Sequence, residues 1–165
     1  MDDVPSDAPG WFAVVDAAAD PQLHSLIYRC RGHTCLFSGK IAPVLAAASP
    51  HLVRMRPGEA LFEAWKMEGR GKNWGIMCQT QRSLDDLRKH FRKFLQAKLP
   101  DGRIAQFRFY DPRVFSVYLR ACTPEERRPW FEGIDLFAVE GATPDILHNY
   151  QLRGDRLYDA ETPLS

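Results

Sequence analysis

Residues 83–115 constrain the fold more than any other stretch, because their helix, turn and strand signals follow one another without conflict. Ser83 precedes Asp86 by three residues, a spacing at which both side chains can satisfy backbone N–H groups of a first helical turn. Apolar residues then recur at helical spacing: Leu84, Leu87, Phe91, Phe94 and Leu95. The pattern predicts an amphipathic helix over residues 83–97.

A turn, a strand and a second helix are predicted directly after it. Residues 100–102, Pro-Asp-Gly, have the composition of a tight turn. Between Arg103 and Tyr110 every second residue is apolar, so in a strand these residues would share one face. This alternation is typical of a strand. Asp111 is suited to cap a helix whose first residue is Pro112, since a proline there lacks only an N–H that the helix leaves unpaired.

Elsewhere short strand patterns alternate with short helix patterns. Strands are predicted at residues 11–15, 34–37, 51–55, 73–79 and 134–139, and helices begin near Asp20, Ile41, Pro57 and Thr123. Alternation of this kind predicts the α/β class, with a mixed or largely parallel sheet of about six strands covered by helices. Residues 146–158 predict a short C-terminal hairpin with its tip at Gly154, followed by a polar tail.

The chain has 165 residues and 45% apolar content, which is enough for one domain with a sizeable core. We divide it into a flexible N-terminus (1–10), a body (11–140) and a C-terminal hairpin or tail (141–165). Segment 1–10 is acidic and lacks the apolar centre of a secretory signal. No stretch approaches the roughly 20 apolar residues that a membrane-spanning helix needs. We therefore expect a cytoplasmic protein that does not bind membranes.

The cysteines lack the paired spacing of a zinc site, so we expect free and mostly buried thiols at Cys30, Cys35, Cys78 and Cys122. Cys30, His33 and Cys35 are close in sequence, but zinc would need a fourth ligand. No nucleophile and base are placed together by any motif. We expect no catalytic residue, no metal and no cofactor.

Asp16 ends the first predicted strand, a position at which open sheets often carry a functional aspartate. No second acid lies two residues further on, which favours a structural role. Arg108 falls in mid-strand, where a covered sheet would desolvate its charge, so it needs a carboxylate from Asp111 or Asp16. The alternative is that Arg108 lines a groove and binds an acidic partner.

The polar side of the predicted helix carries four basic residues: Arg88, Lys89, Arg92 and Lys93. Only Asp85 and Asp86 could balance them by helical pairing, so this side is either a solvated face or a binding surface. Trp130 and Phe131 are candidates for an aromatic interface anchor, and core packing is the alternative.

Seven motifs follow one another in order: FAVVDA, CLFSG, LVRM, NWGIM, LRKHFRKFLQ, LPDG and FRFYDPRV. Together they resemble the chaperone and adaptor domain of bacterial type VI secretion, a family long catalogued only as a domain of unknown function. The resemblance covers roughly residues 12–139. It implies a non-enzymatic protein that binds a cognate toxic effector in the cytoplasm and helps load it onto the secretion spike protein.

Two other functions stay open at this point. A nucleic-acid-binding module could use the basic helix 83–97, although a net charge of +1 disfavours it. An enzyme centred on Asp16 ranks last, because the groups that would complete its site are missing. On the leading interpretation, partner binding is assigned to Arg88, Lys89, Arg92, Lys93, Trp130 and Phe131, and structural roles to Asp16, Arg108 and Asp111.

Overall fold

A computed structural model describes residues 9–37, 45 and 47–164. The helix predicted near Ile41 lies largely outside these residues, as does most of the predicted N-terminal segment. The main sheet contains β1 (Gly10–Asp16), β2 (His33–Cys35), β3 (Pro50–Arg54), β4 (Gly75–Thr80), β7 (Ile134–Glu140), β8 (Ile146–Arg153) and β9 (Arg156–Pro163). A small second sheet pairs β5 (Gln96–Lys98) with β6 (Ile104–Gln106).

Five α-helices and one 3-10 turn are formed by the described residues. They are α1 (Leu23–Tyr28), α2 (Ala60–Glu68), α3 (Leu84–Arg92), α4 (Pro112–Ala121), α5 (Pro124–Arg127) and the 3-10 turn Arg128–Phe131. No helix in the described part of the chain is both long enough and apolar enough to cross a membrane.

The expected parallel or mixed sheet is wrong, because every neighbouring pair of strands is antiparallel. The main sheet has seven strands in the order β2-β3-β1-β4-β7-β8-β9. Alternation and apolar runs indicate that a strand exists but not its direction, and helix-containing connections between strands favour parallel crossovers. Here the connections through α1 and α2 each skip one position in the sheet, and the strand that fills this position runs antiparallel to both of the strands they join.

Helices cover the sheet in two layers. On one face, Phe12 and Val14 of β1 join a core cluster with residues of α3, α4 and the 3-10 turn. On the other face, Ala13 and Val15 join a second cluster with residues of α1 and α2. The apolar run predicted as a buried strand is therefore buried on both faces, as expected for a strand in the middle layer.

The caps predicted at Ser83 and Asp111 are confirmed, and so is the C-terminal hairpin, but the polar tail predicted after residue 158 is wrong because β9 continues to Pro163. The Ser83 side chain accepts a hydrogen bond from the Asp86 N–H at 3.2 Å, and the Asp111 side chain accepts one from the Arg113 N–H at 3.0 Å. The β8–β9 hairpin turns through Gly154 and Asp155. Gly154 has a φ of 60°, which glycine adopts without the clash that a Cβ would cause.

The strand predicted from Arg103 to Tyr110 is wrong in its extent. Only residues 104–106 form a strand, and the chain beyond them turns into the core, where Phe109 and Tyr110 are buried. α3 also ends at Arg92, and the Phe107 N–H donates to the Leu95 carbonyl at 2.8 Å. Burial of these aromatic rings outweighs the local alternation that favoured a longer strand.

Gly75 provides a test of the central register, because it lies opposite Val15 and a Cβ on it would meet the Val14 carbonyl oxygen at 2.1 Å. We expect Gly75→Ala to lower the free energy of unfolding in urea by about 3 kcal/mol, since backbone must shift to accommodate the methyl group. Gly10→Ala is the matched control, because its nearest contact is an ordinary 3.4 Å from the Phe12 ring. Equal effects of the two substitutions would contradict this register.

Candidate partner-binding surface

The basic side of α3 faces away from the core, as predicted. Leu87 and Phe91 are buried against the sheet, and α3 lies over β2 and β3. On the opposite side of the helix Lys89 and Lys93 are exposed and Arg92 is half-buried. We call these three residues the α3 surface. The apolar side of the helix is packed in the core, and this packing fixes the position of the helix that carries the cations.

Arg88 differs from the other three basic residues. Its guanidinium Nε donates a hydrogen bond to the Cys35 carbonyl oxygen at 3.0 Å. This bond joins α3 to the end of β2, so Arg88 stabilises the fold. A contact between a side chain and a distant backbone carbonyl leaves no signal in the sequence, so helical spacing alone places Arg88 with the basic residues that face solvent.

The cations of the α3 surface are not neutralised within the described part of the chain. No ion pair there joins Lys89, Arg92 or Lys93 to a carboxylate. Asp85 and Asp86 lie in the first turn of α3, and the Asp86 N–H is bound by the capping Ser83. The surface therefore presents positive charge in the last two turns of the helix, at the end where the helix dipole is negative.

Trp130 and Phe131 cannot serve as surface anchors, and core packing is the correct alternative. Trp130 is 1% exposed and stacks on Phe94 with ring centroids 3.8 Å apart. Phe131 is 9% exposed and packs edge-on against Phe137 at 5.2 Å. An aromatic pair after basic residues has the same sequence signature in either role, so the sequence could not separate the two.

His90 ties α3 to the 3-10 turn and was missed by the sequence analysis. Its Nε2–H donates to the Trp130 carbonyl at 3.2 Å, and the ring is 1% exposed. Burial lowers the pKa of His90 to about 4, although the hydrogen bond to Trp130 opposes this. Its position three residues after Leu87, on the buried side of the helix, is the signal that could have identified it.

Asp16 is the carboxylate that pairs with Arg108. Arg108 Nη2 donates to Asp16 Oδ2, and the Ala18 N–H donates to Asp16 Oδ1 at 3.1 Å. The Asp16 side chain is 7% exposed, whereas that of Arg108 is 55% exposed. The expectation of a desolvated arginine in mid-strand is therefore wrong, but the pair itself is one of the two that were predicted. The Asp16 carboxylate raises the pKa of Arg108.

Asp111, the other candidate partner of Arg108, interacts instead with residues close to it in sequence. Its carboxylate binds the Arg113 guanidinium at 2.9 Å as well as capping α4. The predicted cap is thus present, and the ion pair of Asp111 is with Arg113 and not with Arg108. Of the two carboxylates proposed as partners of Arg108, only Asp16 links the first strand to the segment before α4.

The four cysteines are free thiols, as predicted, and Cys30, Cys78 and Cys122 are buried. Burial raises the pKa of all three, so each thiol stays protonated at neutral pH. Within residues 9–37, 45 and 47–164, no group of three or more His, Cys, Asp or Glu side chains is arranged to hold a metal ion.

Comparison with known proteins places most of these features in one family. A family model described as "Domain of unknown function (DUF4123)" matches residues 11–129. The match includes β1 from its second residue onward, the Asp16–Arg108 pair and α3, and it ends before β7. No curated protein and no solved structure matches the chain.

The buried His90 should make stability depend on pH. Its pKa is about 4 when folded and about 6.5 when unfolded, so the unfolded chain binds the proton more readily. The stability due to neutral His90 is present above about pH 6.5 and is lost as pH falls toward about 4. Between about pH 7 and pH 4, we expect the unfolding free energy of His90→Phe to fall by about 3 kcal/mol less than that of the wild type. Urea titrations at both pH values with identical losses would contradict this account.

A double-mutant cycle tests the Asp16–Arg108 pair. We expect Asp16→Asn and Arg108→Met to couple by about 1 kcal/mol in urea unfolding, a modest value because solvent screens the half-exposed arginine. The control cycle combines Asp111→Asn with Arg108→Met, and its effects should add within about 0.5 kcal/mol. Additive effects in the first cycle, or equal coupling in both, would show that the pair does not link these segments.

Proposed function

This chain belongs to the DUF4123 family, and we propose that it is a non-enzymatic chaperone and adaptor of bacterial type VI secretion. In this role it binds a cognate toxic effector in the cytoplasm and helps load that effector onto the secretion spike. The ordered motifs between residues 12 and 114 support the system and the role, since they resemble its chaperone and adaptor domain. The α3 surface supports a binding function.

The observation that carries the proposal is the α3 surface itself. Lys89 and Lys93 are exposed on a helix whose other side is fixed in the core, and no described carboxylate pairs with them. A concentrated positive surface attracts acidic segments and speeds their encounter, and the orientation of the charges contributes specificity. The effector segment that binds here is therefore acidic.

An apolar contact is available in the same helical layer. Val117 of α4 is 66% exposed and Val114, one turn earlier, is 37% exposed. α4 packs on the same face of the sheet as α3. An effector that lies across this layer can bury these side chains as well as neutralise the lysines. Salt should therefore weaken the complex only in part, because apolar contacts are not screened.

Salt dependence separates this function from nucleic-acid binding. Contacts to phosphates release counterions, so affinity for nucleic acid would fall steeply and continuously with salt. With a net charge of +1 and three cations on the α3 surface, the chain offers few phosphate contacts. A partial and saturating loss of affinity is what a protein partner with an apolar contribution produces.

Reversing the charge of the α3 surface tests the proposal. Lys89→Glu with Lys93→Glu should leave thermal unfolding unchanged, because exposed substitutions usually alter stability little. The variant should bind the effector encoded beside its gene at least about tenfold more weakly, because two favourable charge contacts become repulsive. Calorimetric titration of the purified effector measures the change.

The matched control reverses two exposed cations on the other helical layer, Arg29→Glu with Lys66→Glu. Its change in net charge is identical, so a nonspecific effect of charge would appear in both variants. Equal affinity of the α3 variant and the wild type would contradict the proposal. So would an equal loss in the control.

A further inference from the structure

β9 forms an open end of the main sheet. Its eight residues pair with β8 over their whole length, from Arg156 opposite Arg153 to Pro163 opposite Ile146. No other strand among the described residues pairs with its outer edge. The strand at the opposite end, β2, has three residues. An edge as long as β9 is a template on which another extended chain can add.

The hairpin register shows which backbone groups face outward. A two-residue turn makes Arg153 and Arg156 a hydrogen-bonded pair, and bonded and non-bonded pairs then alternate along the ladder. In β9 the N–H and C=O groups of Leu157, Asp159 and Glu161 therefore point away from β8. Pro163, at the end of the strand, has no N–H to offer.

The side chains of the outward-facing residues are acidic over the second half of the strand. The Asp159 carboxylate binds His148 Nδ1 at 2.9 Å and Arg120 Nη2 at 3.3 Å. Glu161 is exposed, and no ion pair joins it to another described residue. On a neighbouring strand, the residues directly opposite these two would lie on the same face, where opposite charges attract.

We propose that β9 accepts an extended basic segment of a protein partner as an additional antiparallel or parallel strand. Backbone groups of Leu157, Asp159 and Glu161 form its hydrogen bonds, and the carboxylates select lysine or arginine at alternate positions of the segment. Tyr158, which is 39% exposed between Arg153 and Arg156, contacts the other side of that segment. This goes beyond the proposed function and does not depend on the α3 surface.

A second copy of this chain does not fit the same edge. In a two-fold arrangement of two β9 strands, residues that face each other lie on one face of the joined sheet. If the two-fold axis passes through residue 159, Asp159 of one copy faces Asp159 of the other. If it passes through residue 160, Asp159 faces Glu161. An axis at residue 157 places Asp155 opposite Asp159, and an axis at residue 158 places Asp155 opposite Glu161. An axis at residue 161 places Glu161 opposite itself. Like charges directly opposite destabilise a strand pair, so the occupant is a different, basic chain.

Hydrogen exchange of the full chain by NMR tests the proposal. The probe is a blocked eight-residue peptide of alternating lysine and valine, and the control peptide has glutamate in place of lysine. In the free protein the amides of Leu157, Asp159 and Glu161 should exchange fast, whereas those of Tyr158 and Ala160 are protected by β8. The lysine peptide should slow the three fast amides at least about tenfold. No protection, or equal protection by the glutamate peptide, would overturn the proposal.

Two further comparisons separate backbone pairing from charge. Glu161→Pro removes an outward N–H and leaves the β8 ladder intact, so it should abolish protection, whereas Glu161→Gln retains the N–H and should weaken binding only in part. With the wild-type protein, two further peptides are N-methylated, each at one of the two alternating sets of amides. Methylation of the set that faces β9 should abolish protection, and methylation of the other set should preserve it. Binding that is indifferent to Glu161→Pro and to both methylation patterns would show that the edge is not used.

Discussion

The rest of the structure depends on the burial of β1 on both faces of the sheet. Phe12 and Val14 face one helical layer, and Ala13 and Val15 face the other. Because neither face of this strand reaches water, each layer must turn its apolar side inward. α3 therefore presents its lysines to solvent as a consequence of the packing that forms the core. One side of α3 thus stabilises the fold, and the other side forms the proposed binding surface.

The two ends of the sheet differ in charge and in how they are covered. α3 lies over β2 and β3 and presents cations, whereas β9 carries Asp159 and Glu161 and has a backbone edge that no other described strand pairs with. Six strand spacings separate β2 from β9, which is about 29 Å across the sheet. If both proposals hold, one rigid domain can carry an acidic segment at one end and a basic strand at the other. An adaptor that joins two proteins needs such an arrangement.

Local chemistry explains what could be predicted from the sequence. Ser83 and Asp111 cap helices through atoms two or three residues away, so their patterns were read correctly. Strand direction could not be read, because an alternating strand has the same pattern whichever way its neighbour runs. The Arg88–Cys35 bond and the burial of Trp130 arise from tertiary contacts that no local spacing encodes. The Asp16–Arg108 pair was predicted as one of two options, because an arginine near the core needs a carboxylate.

The central claim is that the effector contacts the α3 surface through acidic residues. Zero-length carbodiimide coupling of the complex tests this directly, because it joins a lysine amine only to a carboxylate in contact with it. Mass spectrometry should locate the cross-links to the effector at Lys89 and Lys93 and not at Lys66 of α2 or at Lys72, which follows α2. Cross-links concentrated at Lys66 and Lys72, with none at Lys89 or Lys93, would contradict the account.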